Sequence, residues 1–290
     1  MNLIFENAYA EVMKAPLGEA LEQLDIAHHN CKARLSLYGG HVLSWQPLNE
    51  DEVFWLSSET AYQEGKAIRG GVPLCWPWFG PYKDAGNHGF ARQSQWHLDE
   101  ISADELGVNV ELSWQGENVH PHWPYKAKVV QQLFFGKQFS QRLIVKNLGK
   151  DSFEYTGALH SYFATGHPSQ VTVATLDNVP FDCKLSRQKQ QQDVLKNCVG
   201  PIDRVYHSKD EMVISDKAYK RQIVLTPEHV NQWVLWNPGK EIAATMQDIH
   251  LGGENEYVCL EAANTEWQQV EAGKTVTFGQ TVSIKALSAI

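Results

Sequence analysis

The stretch Val108-Asn109-Val110-Glu111-Leu112-Ser113-Trp114-Gln115 decides the class of fold, because its side chains alternate strictly between apolar and polar. Successive side chains of an extended strand point to opposite faces, so this alternation predicts a strand buried on one face only. A second alternating segment near the C-terminus has apolar residues at Val276, Phe278, Val282 and Ile284. Gln280 is the one polar residue on that apolar face. Half-buried strands are therefore predicted at two widely separated points of the chain.

Further strands are predicted by runs rich in β-branched and aromatic residues, which suit a pleated, partly buried surface. These runs begin near Ala33, Ala127, Phe139, Phe153, Val171, Arg221, Gln232 and Glu256. The best helical segment is Ser58 to Glu64, and residues 186–197 are predicted to form a loop or a surface helix. We therefore expect an all-β protein of antiparallel strands with few short helices, built as a large sandwich of two packed sheets. Because no repeat and no flexible linker is visible, we expect one domain over residues 1–290.

The composition of the chain argues against some classes of binding partner. The chain has 290 residues and a formal net charge of −9, which argues against binding to nucleic acid or to an anionic membrane. The first ten residues lack the features of a signal peptide, and no apolar stretch is long enough to span a bilayer, so we expect a cytoplasmic protein. The five cysteines are odd in number and scattered, which is typical of reduced thiols rather than of disulfides or a zinc site.

Two irregular segments each present an arginine. The segment 68–81 reads Ile-Arg-Gly-Gly-Val-Pro-Leu-Cys-Trp-Pro-Trp-Phe-Gly-Pro, and its glycines and prolines interrupt an aromatic cluster. For Trp76 and Trp78 we favour a packed corner between sheets, and the alternative is a pocket wall that presents Arg69. The segment Asn87-His88-Gly89-Phe90-Ala91-Arg92 is polar and basic. A lone Arg is usually solvated, but two guanidinium forks suit a phosphate, and a net acidic protein needs such cations for an anionic substrate.

Two further segments place an ionisable side chain among strand-forming residues. His160 lies in Ala158-Leu159-His160-Ser161-Tyr162-Phe163, and Glu261 interrupts Tyr257-Val258-Cys259-Leu260-Glu261-Ala262-Ala263-Asn264. Taken alone, each has a good structural explanation. A buried carboxylate, however, needs a partner or a raised pKa, and a raised pKa suits a general base. His120 and His122 have no third ligand motif, so we interpret them as loop residues rather than as a metal site.

In this order, the segments resemble the hexose-6-phosphate (glucose-6-phosphate) 1-epimerase branch of the aldose 1-epimerase family, over nearly the whole chain. The most telling pieces are Ile68-Arg69-Gly70-Gly71, His88-Gly89-Phe90-Ala91-Arg92, Leu159-His160-Ser161-Tyr162-Phe163, Trp236-Asn237-Pro238-Gly239 and Leu260-Glu261-Ala262-Ala263-Asn264. Galactose-type relatives tend to carry His-Gly-Gly where this chain has His88-Gly89-Phe90, which favours the phosphosugar branch. Asn87 sits where several relatives use Gln.

The resemblance implies a galactose-mutarotase-like β-supersandwich and a mutarotase that needs no metal and no cofactor. It implies catalytic roles for His160 as general acid and Glu261 as general base, with modest upward pKa shifts bringing both near working pH. The substrate contacts that it implies are Arg69, Asn87, His88, Arg92 and Asp203, and Trp236 is a further candidate that could lie against the sugar ring.

The expected partner is a small phosphosugar, and the expected state is a monomer or weak homodimer. Two alternatives stay open at this point: a glycoside hydrolase that uses Asp203 and Glu261, or a non-catalytic carbohydrate-binding or sensing protein.

Overall fold

The computed structural model describes residues 1–287, so the last three residues of the domain expected over 1–290 lie outside the described part. Strands account for 53% and helices for 6%, and the sheets are antiparallel, which confirms the predicted all-β class. The helical elements are short: α1 (Gly239–Ala243) and 3-10 turns at Ala91–Gln93, Pro168–Gln170, Ala174–Leu176 and Gly253–Asn255. No helix in the described part is long and apolar enough to cross a membrane.

The strands, numbered in chain order, form three sheets. The N-terminal sheet consists of β1 (Asn2–Glu6), β2 (Ala10–Leu17), β3 (Leu21–His28), β4 (Cys31–Ser36) and β5 (His41–Pro47). The site sheet consists of β6 (Leu74–Cys75), β11 (Phe153–Leu159), β12 (Tyr162–Ala164), β14 (Phe181–Cys183), β15 (Ile202–Tyr206), β18 (Gln232–Asn237) and β19 (Tyr257–Val270). The back sheet consists of β7 (His97–Ala103), β8 (Gly107–Glu117), β9 (Lys126–Gly136), β10 (Gln138–Asn147), β13 (Val171–Thr172), β16 (Met212–Asp216), β17 (Arg221–Glu228) and β20 (Thr275–Ala286).

Strand order in the site sheet determines which side chains can meet. The order is β14, β15, β18, β19, β11 and β6, with β12 also paired to β19. Segments that are far apart in the chain are therefore neighbours in the sheet. One face of the site sheet is turned towards the back sheet. Its large side chains belong to the main apolar core, among them Leu74, Phe181 and Leu260. The opposite face carries Ala158, Val205, Val234 and Ala263, which form a small cluster of their own.

The predicted strands are present, and one predicted helix is absent. β8 contains the stretch 108–115, and every strand-rich run identified from the sequence coincides with a strand. The prediction of a helix at Ser58 to Glu64 is wrong, because this segment begins with a turn and continues as irregular chain. Its Thr60 hydroxyl accepts a hydrogen bond of 2.6 Å from the backbone N–H of Arg69, so the segment supports the arginine loop instead of bonding to itself. Residues 186–197 form a loop, one of the two predicted forms.

Buried polar side chains link the back sheet to the site sheet. Gln280 Nε2 donates to the Ser161 hydroxyl at 2.8 Å and to Gln141 Oε1 at 3.3 Å, and Gln141 donates to Gln131 at 2.6 Å. Gln280, the one polar residue on the apolar face of its strand, thus belongs to a chain of hydrogen-bonded glutamines that ends at Ser161, next to His160. His160 and Ser161 are the two residues between β11 and β12, and they face opposite sides: His160 stacks on Tyr162, while Ser161 meets the glutamines on the core side.

The aromatic segment 68–81 forms a packed corner, as we favoured for its tryptophans. Trp76 and Trp78 are buried, and Trp76 packs edge-on against Trp114 of the back sheet at 5.6 Å between ring centres. His120 and His122 lie in a loop, where His122 pairs with Asp84. Within residues 1–287 no group of three or more His, Cys, Asp or Glu side chains is arranged to hold a metal ion.

Candidate active site

His160, which directly follows β11, faces Glu261 of the antiparallel strand β19. Leu159 before His160 and Tyr162 after it pair with β19 in one register, and that register places His160 opposite Glu261. Facing residues on such strands project to the same side of the sheet. The Nε2 of His160 lies 3.4 Å from Oε1 of Glu261. Strand register therefore brings together two residues that are far apart in the sequence.

Both side chains are buried and each leaves a polar atom unsatisfied. His160 is 8% exposed and Glu261 is 1% exposed. The Nδ1 of His160 and the Oε2 of Glu261 have no hydrogen-bond partner within the described residues. Leaving a buried polar atom unpaired costs about 1–3 kcal/mol, and more for a charged group. This pair is therefore suited to bind polar atoms of a ligand.

The surroundings of Glu261 favour its protonated form. Burial raises the pKa of Glu261 well above its usual range, and the negative charge of Asp203 raises it further. The positive charges of Lys184 and Arg92 act in the opposite direction. Burial dominates because the carboxylate loses its hydration without gaining a close cation. The pKa of Glu261 is therefore shifted in the expected direction, although the expected shift was modest.

The surroundings of His160 favour its neutral form. Burial lowers the pKa of His160 well below its usual value, and the charges of His88, Arg92 and Arg69 lower it further. The expectation of an upward pKa shift at His160 is wrong, because burial and, to a smaller extent, the charges of neighbouring side chains disfavour the protonated imidazole. Both shifts act in the same sense, since they favour a protonated Glu261 carboxyl beside a neutral His160 imidazole.

Arg69 is fixed in place by two partners. Its Nε donates to Asp248 Oδ2 at 3.0 Å, and its Nη1 donates to the Tyr162 hydroxyl at 2.7 Å. The Tyr162 ring in turn stacks on the His160 ring, with 4.9 Å between centres and 9° between planes. Arg69 thus supports the histidine through Tyr162 in addition to placing a positive charge near it.

His88 lies beside the same histidine, and the charge of Arg92 acts on both imidazoles by lowering their pKa. The His88 ring is edge-on to His160 at 5.8 Å between centres, and its Nδ1 accepts the Gly80 N–H at 3.2 Å. Burial lowers the pKa of His88 to about 3, and Arg92 contributes to that shift. Because Nδ1 is an acceptor in a neutral ring, the proton is on Nε2, which leaves His88 a hydrogen-bond donor without making it an acid.

The loop that carries His88 has a constrained backbone. His88 adopts a positive φ of 68°, which is uncommon for a residue with a Cβ atom. The next residue must be glycine, because a Cβ on Gly89 would lie 2.0 Å from the Trp76 carbonyl oxygen. Asn87 is exposed, and its carbonyl accepts a bond of 3.1 Å from Arg92 Nη2.

Asp203 and Trp236 lie on the other side of Glu261. The two residues are direct partners in the β15–β18 pairing, and Trp236 pairs in turn with Cys259 of β19. Trp236 is half-buried and stands edge-on to His160 at 5.9 Å between ring centres. Burial raises the pKa of Asp203, while Lys184 lowers it. The structure therefore brings all eight sequence-predicted site residues to one face of the site sheet or to the loops that border it.

Three contributors were not predicted from the sequence. Tyr162 was noted only as part of a motif, Asp248 carried no recognisable signal, and Lys184 follows a short strand that the sequence did not reveal. The ammonium of Lys184 lies 4.3 Å from the centre of the Phe79 ring. Phe79 packs against His88 at 5.0 Å between ring centres.

Comparison with known proteins finds relatives that match nearly the whole chain. A family model described as aldose 1-epimerase matches residues 22–283. A protein of Escherichia coli K12 named "Putative glucose-6-phosphate 1-epimerase" is 36% identical over 91% of this chain and 92% of its own length. A protein of the same name from Salmonella typhimurium LT2 is 34% identical, over 98% of this chain and 99% of its own.

Solved structures show the same fold. A crystal structure from Salmonella typhimurium, described as a "putative mutarotase", is 32% identical and superposes with a TM-score of 0.89 over 98% of this chain and 96% of its own. A galactose mutarotase-like protein from Clostridium acetobutylicum has a TM-score of 0.72 over 97% of this chain and 100% of its own. At 13% identity, that second likeness concerns the fold alone.

Proposed function

The chain belongs to the aldose 1-epimerase family and is an isomerase, and we propose that it interconverts the α and β anomers of a hexose 6-phosphate. Glucose 6-phosphate is the first substrate to test, because the names of the two bacterial relatives specify it. One observation carries the proposal: a buried histidine and a buried carboxylate face each other, and each has an unsatisfied polar atom.

The proposed reaction needs one acid and one base. Glu261 removes the proton from the C1 hydroxyl while His160 gives a proton to the ring oxygen, so the bond between C1 and the ring oxygen breaks and an aldehyde forms. Rotation about C1–C2 then presents the other face of the aldehyde. Ring closure reverses both proton transfers. The pair holds one proton before and after the cycle, so no metal or cofactor is needed for the proton balance.

We propose that substrate binding moves the proton of the Glu261 carboxyl to His160. Two of the groups that lower the pKa of His160 are Arg92 and Arg69. A phosphate placed beside these arginines offsets their charges, which raises the pKa of the imidazole again. The phosphorylated substrate thus favours the ion-pair form of the pair, with His160 protonated and Glu261 ionised.

The remaining predicted residues are proposed as substrate contacts. Arg92, with a buried Nε that has no partner in the described part of the chain, is proposed to bind the phosphate, with Arg69 adding charge. His88 is proposed to donate to a sugar oxygen, Asp203 to accept from sugar hydroxyls, and Trp236 to lie against the ring. Asn87 is proposed to contact the substrate at the exposed edge. We propose that the protein acts as one domain, as a monomer or weak homodimer, in the cytoplasm.

Anomer exchange of glucose 6-phosphate, followed by magnetisation-transfer NMR, tests the proposed function. The wild type should exchange anomers faster than buffer alone. Glu261→Gln and His160→Asn should each slow enzymatic exchange by about 100-fold or more, the range typical of a lost general acid or base. Both variants should keep the wild-type circular dichroism spectrum.

Two outcomes would contradict the proposal. A folded wild type that exchanges no phosphosugar above the buffer rate would overturn it. Release of nitrophenol from aryl glycosides would point instead to hydrolysis by Asp203 and Glu261.

A further inference from the structure

Lys184 continues the pairing of β14 with β15 by one more residue on the site face. Asp182 pairs with Val205, and the backbone N–H of Lys184 donates to the carbonyl of Asp203 at 2.9 Å. In that register Lys184 lies opposite Asp203. Val205 pairs with Val234, and Val234 pairs with Glu261. Because side chains two residues apart share a face, Lys184 and Asp203 project to the same side of the sheet as Glu261.

The side chain of Lys184 is directed towards the site. Its Nζ lies 4.3 Å from the centre of the Phe79 ring, and Phe79 is the aromatic member of the small cluster beneath the site. Nζ also lies 4.0 Å from the point that a Cβ on Gly80 would occupy. Lys184 is exposed, but its ammonium lies over the Phe79 ring and beside Gly80, in the loop that borders the site sheet.

This cation has no ion-pair partner. Within the described residues, no carboxylate oxygen lies within 4.0 Å of Nζ, whereas Arg69 is engaged by Asp248. Its charge is nevertheless felt inside the site, because it lowers the pKa of both Glu261 and Asp203. Among the described residues, the Lys184 ammonium thus has hydrogen-bond donors without a partner, at the strand position opposite Asp203.

Strand order determines which part of the sugar these two residues face. In the sheet, His160 lies on one side of β19, while Asp203 and Lys184 lie on the other side, beyond β18. In the proposed reaction His160 acts at the ring oxygen and Glu261 at the C1 hydroxyl. From C1, a pyranose ring runs one way to the ring oxygen and the other way to C2. The side of Glu261 that is away from His160 therefore faces C2.

The same geometry separates the phosphate from Lys184. C6 is attached to C5, which adjoins the ring oxygen, so the phosphate falls on the His160 side. Arg69 lies on that side, since it donates to the Tyr162 hydroxyl and the Tyr162 ring stacks on His160.

Resting on the proposed function, we infer that Lys184 donates a hydrogen bond to the C2 hydroxyl of the sugar, with Asp203 accepting from the same hydroxyl or from its neighbour at C3. Lys184 thereby makes the enzyme selective for aldose phosphates that carry an oxygen at C2. A cation and an anion side by side recognise a hydroxyl fully, because that group both accepts and donates.

Comparison of glucose 6-phosphate with 2-deoxyglucose 6-phosphate tests this inference. The variant is Lys184→Met, which keeps the length of the side chain and removes the charge. Its kcat/KM for glucose 6-phosphate should fall by about tenfold or more, the typical effect of losing a hydrogen bond to a charged group. Its kcat/KM for the 2-deoxy sugar should stay within about twofold of the wild type, because that substrate lacks the contact. Lys184→Arg, which retains charge and donors, should recover part of the loss.

The matched control is Lys189→Met, which removes the same charge from an exposed position in the following loop and should change neither substrate. Equal losses of Lys184→Met on both substrates would overturn the inference, since Lys184 would then act on the phosphate or on the fold. No loss on either substrate would also overturn it. If the wild type exchanges neither sugar above the buffer rate, the proposed function itself fails, which is a distinct result.

Discussion

Arg69 donates a hydrogen bond of 2.7 Å to the hydroxyl of Tyr162, whose ring lies stacked on the imidazole of His160. Arg69, which the sequence predicts only as a phosphate ligand, thus also helps to hold His160, the proposed general acid. Arg92 has no such link in the described part of the chain. The two arginines should therefore respond differently to substitution.

Arg69→Ala should reduce exchange of both free glucose and glucose 6-phosphate, by about tenfold or more, because His160 loses the anchored tyrosine beside it. The variant should also be less stable by about 1–3 kcal/mol, since Asp248 and the Tyr162 hydroxyl lose their partner. NMR exchange rates and urea denaturation measure the two effects. Unchanged exchange of free glucose would remove Arg69 from the support of His160. Tyr162→Phe is a matched variant that keeps the ring stack and breaks only the bond to Arg69.

Arg92→Ala should be selective for the phosphorylated sugar. We expect kcat/KM for glucose 6-phosphate to fall by about 10- to 100-fold, the range for a lost charged hydrogen-bond partner, and free glucose to change by less than about threefold. Competitive inhibition by inorganic phosphate is a second measurement, and its inhibition constant should rise in the variant. Equal losses on the two sugars would exclude Arg92 as the phosphate ligand.

Asp203→Asn should move the alkaline limb of the pH profile of kcat/KM to lower pH. The negative charge of Asp203 raises the pKa of Glu261. Without it the His160–Glu261 pair loses its shared proton at lower pH, and a pair without a proton has no acid. The alkaline limb is the informative one, because the second ionisation of a phosphate monoester, near a pKa of about 6, affects the acidic side. If the alkaline limb stays in place or moves to higher pH, the placement of Asp203 near His160 and Glu261 is contradicted.

Stability should fall as the pH drops through the range in which buried histidines resist protonation. His41 is fully buried, its Nε2 lies 2.7 Å from the Gly70 carbonyl oxygen, and burial lowers its pKa from 6.5 to about 4. Because the folded-state pKa is below the unfolded one, the stabilisation is complete above pH 6.5 and is lost as the pH falls towards 4.

For His41 this loss amounts to about 3 kcal/mol at most. Urea denaturation at a series of pH values should show a shallower decline for His41→Gln, whose amide can keep the bond to Gly70 without titrating. His97→Gln, at an exposed histidine, is the control and should keep the wild-type slope. A wild-type slope in His41→Gln would show that other groups cause the decline.

The local sequence pattern was sufficient to predict the strands, because alternation of apolar and polar residues follows directly from the burial of one face of a strand. The stretch 108–115 lies within β8, and in β20 even the exceptional Gln280 is explained by a hydrogen bond to Ser161. The failure at Ser58 to Glu64 has the opposite origin. Its local preference for a helix is overridden by a tertiary contact, the bond from the Arg69 N–H to Thr60.

The candidate site could be predicted in its members but not in its arrangement. Resemblance pointed to His160 and Glu261, while their facing positions depend on a register between distant strands that no local pattern encodes. Lys184 was missed for the same reason, since only the extension of β14 along β15 places it opposite Asp203. The direction of the pKa shift at His160 also depends on neighbours from other loops.

The strand order of the site sheet has a consequence for the time course of folding. Lys184, Asp203, Glu261 and His160 are brought into one sheet through two pairings of non-consecutive strands, β15 with β18 and β11 with β19. Such non-local pairings form slowly, because long loops must close before any contact is gained. Catalytic activity should therefore be the last property to return during refolding, after secondary structure has recovered. If enzymatic activity and circular dichroism are followed in the same refolding experiment, the delay of activity behind the spectrum measures how long the native sheet takes to complete.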